Sequence, residues 1–273
     1  MPMYNKHFEG WYYKQRSENY MLAFIPGRAE SGAFVQMIDN SGTKNFEMPD
    51  FYVNGNTVRT GNCIFSPSGA IVQLPGVVGT LSYGNTTPLC SDIMGPFAHL
   101  PMQCKHGVVS MYHTVNGSII IDGEKHIFNG GSGYTEKDCG RSFPKSYIWL
   151  QCNDFPIPCS VMLSIAHIPF LGFSFSGCIC AIIYQGQEYR FATYNGVKIL
   201  KAENNKICLK QGDLVLKIKI RPNNSGHSLF APKNGKMSQV IRESCDAYIS
   251  LHLTRSGQTI VKCESQYATY EKR

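Results

Sequence analysis

Glu136 and Asp138 stand two residues apart behind Tyr134, and in an extended chain, where side chains alternate between faces, all three point the same way. Carboxylates held that close compete for a proton, and burial sharpens the competition, so the trio has the makings of an acid–base site. Two other stretches share the period-two pattern. The run 7–14 puts Glu9, Trp11 and Tyr13 on one face, and the run 147–153 puts Trp149, Gln151 and Asn153 on one face, which gathers both of the chain's tryptophans. An amide on the same face as a tryptophan must be solvated, hydrogen-bonded internally or in contact with a polar ligand. Structural readings stand beside these: Glu136, Lys137 and Arg141 as a buried ionic knot, Glu9 in an ordinary ion pair, and Trp11 and Trp149 as core aromatics.

The elements that must position these residues are strands. Among 273 residues there are 26 glycines, 15 Phe, 15 Tyr and 2 Trp, with 43% hydrophobic and 16% charged residues, a balance that excludes disorder, coiled coils and helical bundles and favours β-structure with many turns. Asp122-Gly123, Asn234-Gly235 and Ser256-Gly257 read as hairpin tips, and turn signals recur at the spacing of a sandwich or barrel. Residues 155–184 lack Asp, Glu, Lys and Arg and are long enough to span a bilayer, but Pro169-Phe170-Leu171-Gly172 reads as a turn between two buried strands, 161–168 and 173–184. The best helix candidate is Met237–Glu243, and Asn129-Gly130-Gly131-Ser132-Gly133 reads as a flexible lead-in to a strand.

Charge is uneven. Residues 1–135 carry 8 basic and 9 acidic side chains, whereas 190–236 alone carry 10 basic and 2 acidic ones. Lys217, Lys219 and Arg221 alternate with Leu216, Ile218 and Ile220, giving a strand with one cationic face, either simply solvated or in contact with an anionic membrane surface. No RNP-type aromatic motif, helix-turn-helix or zinc knuckle accompanies the charge, so nucleic acid is not an expected partner. Dinucleotide loops, P-loops and nucleophile elbows are absent, and Cys104-Lys105-His106 lacks a second ligand pair, so neither a cofactor nor a metal is expected. An odd count of eleven cysteines, no CxxC pair and no apolar signal core in Met1–Lys6 point to reduced thiols and a cytoplasmic protein.

The motif stretches also carry a resemblance. FEGWYYK at 8–14, HGVVSM at 106–111 and GYTEKDCGRSFPKSYIWLQCN at 133–153 resemble the tocopherol cyclase family, which is related to carotenoid hydratase and Diels-Alderase proteins built from two lipocalin-like β-barrels. The chain departs from the family pattern at Cys139, where Trp is usual. The resemblance implies an all-β fold of two tandem lipocalin-like antiparallel β-barrels, at 1–133 and 134–273, with a cavity bordered by the motif strands.

It also implies binding of a hydrophobic small molecule, isoprenoid or polycyclic, and cyclisation, hydration or isomerisation started by protonation of an alkene. In such chemistry Glu136 beside Asp138 supplies the acid, and His106 orients or deprotonates the capturing oxygen. Tyr134, Trp11 and Trp149 supply the aromatic wall, and Glu9, Tyr13, Arg141, Gln151 and Asn153 complete the substrate contacts. A noncatalytic lipocalin-like carrier for the same class of ligand, or a structural module with a vestigial pocket, are the alternatives.

Overall fold

A computed structural model describes residues 7–18, 20–170, 173–223 and 225–273. The expected turn at 169–172 lies partly outside them, at Leu171 and Gly172, as does Met1–Lys6. The first sheet contains β1 (Phe8–Arg16), β2 (Met21–Ala29), β3 (Gly32–Asp39), β4 (Thr43–Met48), β5 (Tyr52–Asn54), β6 (Thr57–Thr60), β7 (Cys63–Ser66), β8 (Gly69–Leu74), β9 (Val77–Gly84), β10 (Cys104–Ile121) and β11 (Glu124–Gly140). The second contains β12 (Tyr147–Cys152), β13 (Cys159–Phe170), β14 (Phe173–Tyr184), β15 (Gln187–Ala192), β16 (Lys198–Glu203), β17 (Lys206–Gln211), β18 (Leu214–Arg221), β19 (His227–Lys233), β20 (Lys236–Arg255) and β21 (Gln258–Lys272).

Both sheets are antiparallel meanders in which the first strand pairs with the last. The first runs β4-β3-β2-β1-β11-β10-β9-β8-β7-β6-β5, the second β15-β14-β13-β12-β21-β20-β18-β17-β16, with β19 paired to β20. Each has its own apolar core, one around Trp11, Phe24, Phe65 and Ile119, the other around Leu150, Leu163, Phe191 and Leu251. The architecture is the expected all-β one of two tandem lipocalin-like antiparallel units. Unit 1 comprises Met1–Leu89, Cys104–Phe143 and Ser228–Val240, and unit 2 comprises Cys90–Gln103, Pro144–His227 and Ile241–Arg273. The junction expected between 133 and 134 falls inside β11.

Local chemistry explains most of this. Val72 and Leu74 in β8, and Leu216, Ile218 and Ile220 in β18, alternate with exposed neighbours and bury their own side chains. Asp122-Gly123, Asn234-Gly235 and Ser256-Gly257 all take positive φ, the conformation that tight hairpins demand. The charge-free run forms β13 and β14, paired from Cys159↔Tyr184 to Phe170↔Phe173. Val161 and Leu163 join the unit 2 core while Met162, pointing the other way, is equally buried, which is why the run reads as continuously apolar. Among the described residues no helix is long and apolar enough to cross a membrane.

Two local expectations are corrected. Met237–Glu243 is no helix but the start of the twenty-residue β20, whose cross-strand partners override a weak local preference. Asn129–Gly133 lies within β11, where its glycines permit close approach rather than flexibility. A Cβ on Gly131 would sit 2.4 Å from the Arg16 carbonyl oxygen, and one on Gly133 would sit 2.1 Å from His113 Nε2. These gaps let β1, β10 and β11 close up, and those are the strands that carry the first candidate site.

His113, buried against Tyr83 at a ring separation of 4.5 Å, has Nδ1 3.2 Å from Ser110 Oγ. Burial pulls its imidazole down to about 4. Between about pH 6.5 and about 4 the unfolded chain binds a proton that the native state refuses, so this group's stability contribution is full above about 6.5 and lost as pH falls, by ~3 kcal/mol. Urea unfolding of wild type and His113→Gln across that window should show a flatter pH dependence in the variant; identical slopes would rule the assignment out.

Candidate functional site

In unit 1 the side-by-side strands β1, β11 and β10 set the site. Tyr12 pairs with Glu136, which pairs on its other side with Val108; Gly10 pairs with Asp138, which pairs with His106. Register shifts in β10 between Val108 and Ser110, and between Ser110 and His113, bend this part of the strand, as bulges near functional sites do. The result is a row of polar groups on one face. Asp138 Oδ1 is 2.9 Å from His106 Nδ1, His106 Nε2 is 3.3 Å from Glu136 Oε2, and Tyr134 donates its O–H to that same Glu136 oxygen at 2.5 Å. Glu136 is only 5% exposed and Tyr134 is fully buried.

A carboxylate accepts and cannot donate, so ionised Asp138 fixes a proton on Nδ1 and turns Nε2 toward Glu136. His106 Nε2 lies 3.3 Å from Glu136 Oε2 without a formed hydrogen bond to it, near enough for a small movement to let a proton pass, and Asp138 would stabilise the imidazolium when the proton moves to His106. Burial, reinforced by Glu136, lifts the Tyr134 phenol well above its ordinary range and keeps it a donor. Burial and then Asp138 do the same to Cys104, whose Sγ lies 3.8 Å from Asp138 Oδ1, so it stays a thiol. Burial likewise raises Cys139. The ligand atoms of His106, Glu136 and Asp138 lie within 4.8 Å of one another, close enough to hold a cation, but both imidazole nitrogens already face carboxylates and a metal would have to displace one.

The other expected residues are distributed differently. Trp11 pairs with Lys137, not Glu136, so Trp11 and Tyr13 point to the opposite face, where both are fully buried in the unit 1 core. Lys137 Nζ sits 4.9 Å above the Trp11 ring, a cation–π contact on that face. Glu9, also on that face, pairs with Arg28 at 2.6 Å, and Tyr13 donates to the Asn56 carbonyl at 2.9 Å. Period-two geometry grouped each set correctly, but only register decides which sets share a face. The ionic-knot reading fails for the same reason: Lys137 faces away from Glu136, and Arg141 is exposed just past β11. The aromatic ring directly across from Glu136 is Tyr12.

Trp149, Gln151 and Asn153 belong to unit 2 and are buried, the first two on the face of β12 turned away from that unit's core and Asn153 just past the strand's end. They bring together residues that the sequence reading missed. Trp149 pairs with Glu271 and Gln151 with Thr269, while Glu271 pairs on its other side with Glu243. Tyr147 donates its O–H to Glu271 Oε1. Glu243 is 3% and Glu271 6% exposed, and two buried carboxylates directly opposite each other need a proton or a cation close by. The sequence held one overlooked signal, a tyrosine two residues before Trp149 on the same strand face; Glu271 reads there as part of a charged tail.

Each unit therefore has a tyrosine–glutamate pair where its last strand meets its first: Tyr134–Glu136 on β11, and Tyr147–Glu271 across β12 and β21. Glu136 has Tyr12 and Val108 as neighbours, Glu271 has Trp149 and Glu243. The unit 1 pair adjoins a histidine, His106. No disulfide joins any of the eleven cysteines.

A family model described as Tocopherol cyclase-like matches residues 76–272. A chloroplastic tocopherol cyclase from Zea mays is 31% identical over 85 residues, 29% of this chain and 18% of that protein, so the matched region is a small part of the relative's length. Among solved structures, CghA crystallised with Sch210972 superposes with a TM-score of 0.65 at 10% identity, covering 98% of this chain and 89% of that one. Kievitone hydratase from Nectria haematococca superposes with a TM-score of 0.53 at 11% identity, covering 97% and 88%. At such identities the likeness speaks for the fold.

Proposed function

We infer from the tocopherol cyclase-like family, to which the chain belongs, that this protein binds a hydrophobic isoprenoid or polycyclic molecule and adds a proton to one of its alkenes. The observation that carries the reading is the row Asp138–His106–Glu136–Tyr134 on one face of the paired strands β10 and β11. In the forward step the O–H bond of a protonated Glu136 breaks as a C–H bond forms, leaving a carboxylate and a tertiary carbocation. Tyr12, across from Glu136, presents a ring to the cation without trapping it. Capture by a phenol oxygen gives cyclisation, capture by water gives hydration, and loss of a neighbouring proton gives isomerisation. In each case one proton is released, and Glu136 recovers it through His106, which Asp138 holds in the receiving orientation.

The maize relative is a tocopherol cyclase and the Nectria protein a kievitone hydratase by name, which supports proton-driven addition as the class of reaction. The same reading puts the protein in the cytoplasm, where eleven cysteines outside any disulfide persist as thiols. Native mass spectrometry of protein purified from its own host, followed by solvent extraction, tests the binding half. A copurifying prenylated or polycyclic compound is the expected result. An empty protein that also binds none of a panel of isoprenoid quinols and carotenoids would contradict it.

A further inference from the structure

We infer that the outer face of the unit 2 sheet is a docking surface for an anionic lipid bilayer. The face is assembled from β16, β17, β18, β20 and β21, whose inward residues, among them Leu209, Leu216, Ile218 and Leu251, fill the unit 2 core. Their outward residues form cross-strand rows. One runs Glu203–Lys206–Lys219–Ser250–Glu264, the next Lys201–Cys208–Lys217–His252–Lys262, and a third joins Lys198 to Lys210. Seven lysines thus share a surface with Glu203 and Glu264, and Arg221 extends the β18 stripe with its guanidinium 4.3 Å from the Tyr248 ring.

Two features separate this face from an ordinary solvated one. Lys198 and Lys210 stand directly opposite each other, as do Lys206 and Lys219. Like charges in that relation destabilise a sheet, and an external anion relieves the repulsion. Leu200, at the bulge in edge strand β16, is 58% exposed beside this positive field, an apolar side chain placed to dip below a layer of headgroups. The cations are nearly all lysines, point charges that suit a diffuse layer of anionic headgroups rather than the bidentate recognition of a single phosphate, for which arginine is the usual choice. Among the described residues of these rows the aromatic rings are Tyr248, which Arg221 covers, and His252, whose Nε2 is 2.9 Å from Thr259 Oγ1, so bases have little to stack on.

The test is cosedimentation of the full chain with vesicles of phosphatidylcholine containing about 30% phosphatidylserine, a composition that gives a strongly negative surface. Binding should be present at about 0.01 M salt, where the Debye length is ~30 Å, and lost at about 1 M, where it is ~3 Å. It should be absent with pure phosphatidylcholine. The double variant Lys210→Glu/Lys219→Glu turns both like-charge pairs into opposite-charge pairs, so its Tm should hold or rise while its vesicle affinity falls at least about 25-fold, roughly fivefold for each lysine removed. No binding at low salt, equal binding by the folded variant, or tighter binding to a single-stranded oligonucleotide than to the vesicles would overturn the proposal.

Discussion

Glu136→Gln should lower turnover of a prenylated phenol by about 10²- to 10⁴-fold, the contribution expected of a positioned proton donor. The amide keeps the shape and still accepts the Tyr134 O–H, now 2.5 Å from Glu136 Oε2, but holds no transferable proton. Because the substitution is nearly isosteric, the melting temperature should move little, which separates loss of chemistry from loss of fold. Asp138→Asn should give a smaller loss, since Asp138 acts on His106 at 2.9 Å rather than on the substrate; as a positioning effect it should shift the pH profile of turnover as well as its height. Steady-state rates of both variants, with thermal unfolding alongside, check this. A Glu136→Gln protein that unfolds, or one that is fully active, would make the residue structural.

Tyr147→Phe should cost ~1.5–3 kcal/mol of stability, because the phenol is the hydrogen-bond donor to the buried Glu271 carboxylate and its loss withdraws a charge-assisted bond in a dry setting. For a structure of this size that corresponds to a fall of roughly 3–12 °C in the transition that reports on unit 2. Turnover at a temperature where the variant is folded should be retained. Tyr134→Phe, which breaks the matching pair in unit 1, should instead reduce turnover, since it removes the donor that holds Glu136 beside His106. If Tyr147→Phe proves silent in the melt but abolishes turnover, the Glu243–Glu271 pair is the working acid and the unit 1 relay is structural.

These two outcomes mark where the amino-acid pattern was readable and where it was not. Short-range chemistry carried the strands: alternation in β18, the positive-φ hairpin tips and the proline- and glycine-punctuated run that becomes β13 and β14 all follow from residues within a few positions of one another. The grouping of Tyr134, Glu136 and Asp138 on one face followed from the same period-two rule. Register did not, because which β1 residue meets Glu136 depends on packing across the whole sheet, and a one-residue slip would have put Trp11 where Tyr12 stands. Glu271 was illegible for a related reason: a glutamate beside a lysine two residues from a chain end looks solvated until β12 and β20 are known to flank it. Met237–Glu243 looked helical only while the strands that pair with β20 were unknown.

Proton delivery to carbon is the central claim, and turnover of a prenylated hydroquinone in D₂O tests it most directly. The expected result is one non-exchangeable deuterium per product molecule, on the carbon next to the new C–O bond, with both product and label lost in Glu136→Gln. Product free of solvent deuterium, or labelled product formed at an undiminished rate by Glu136→Gln, would contradict it.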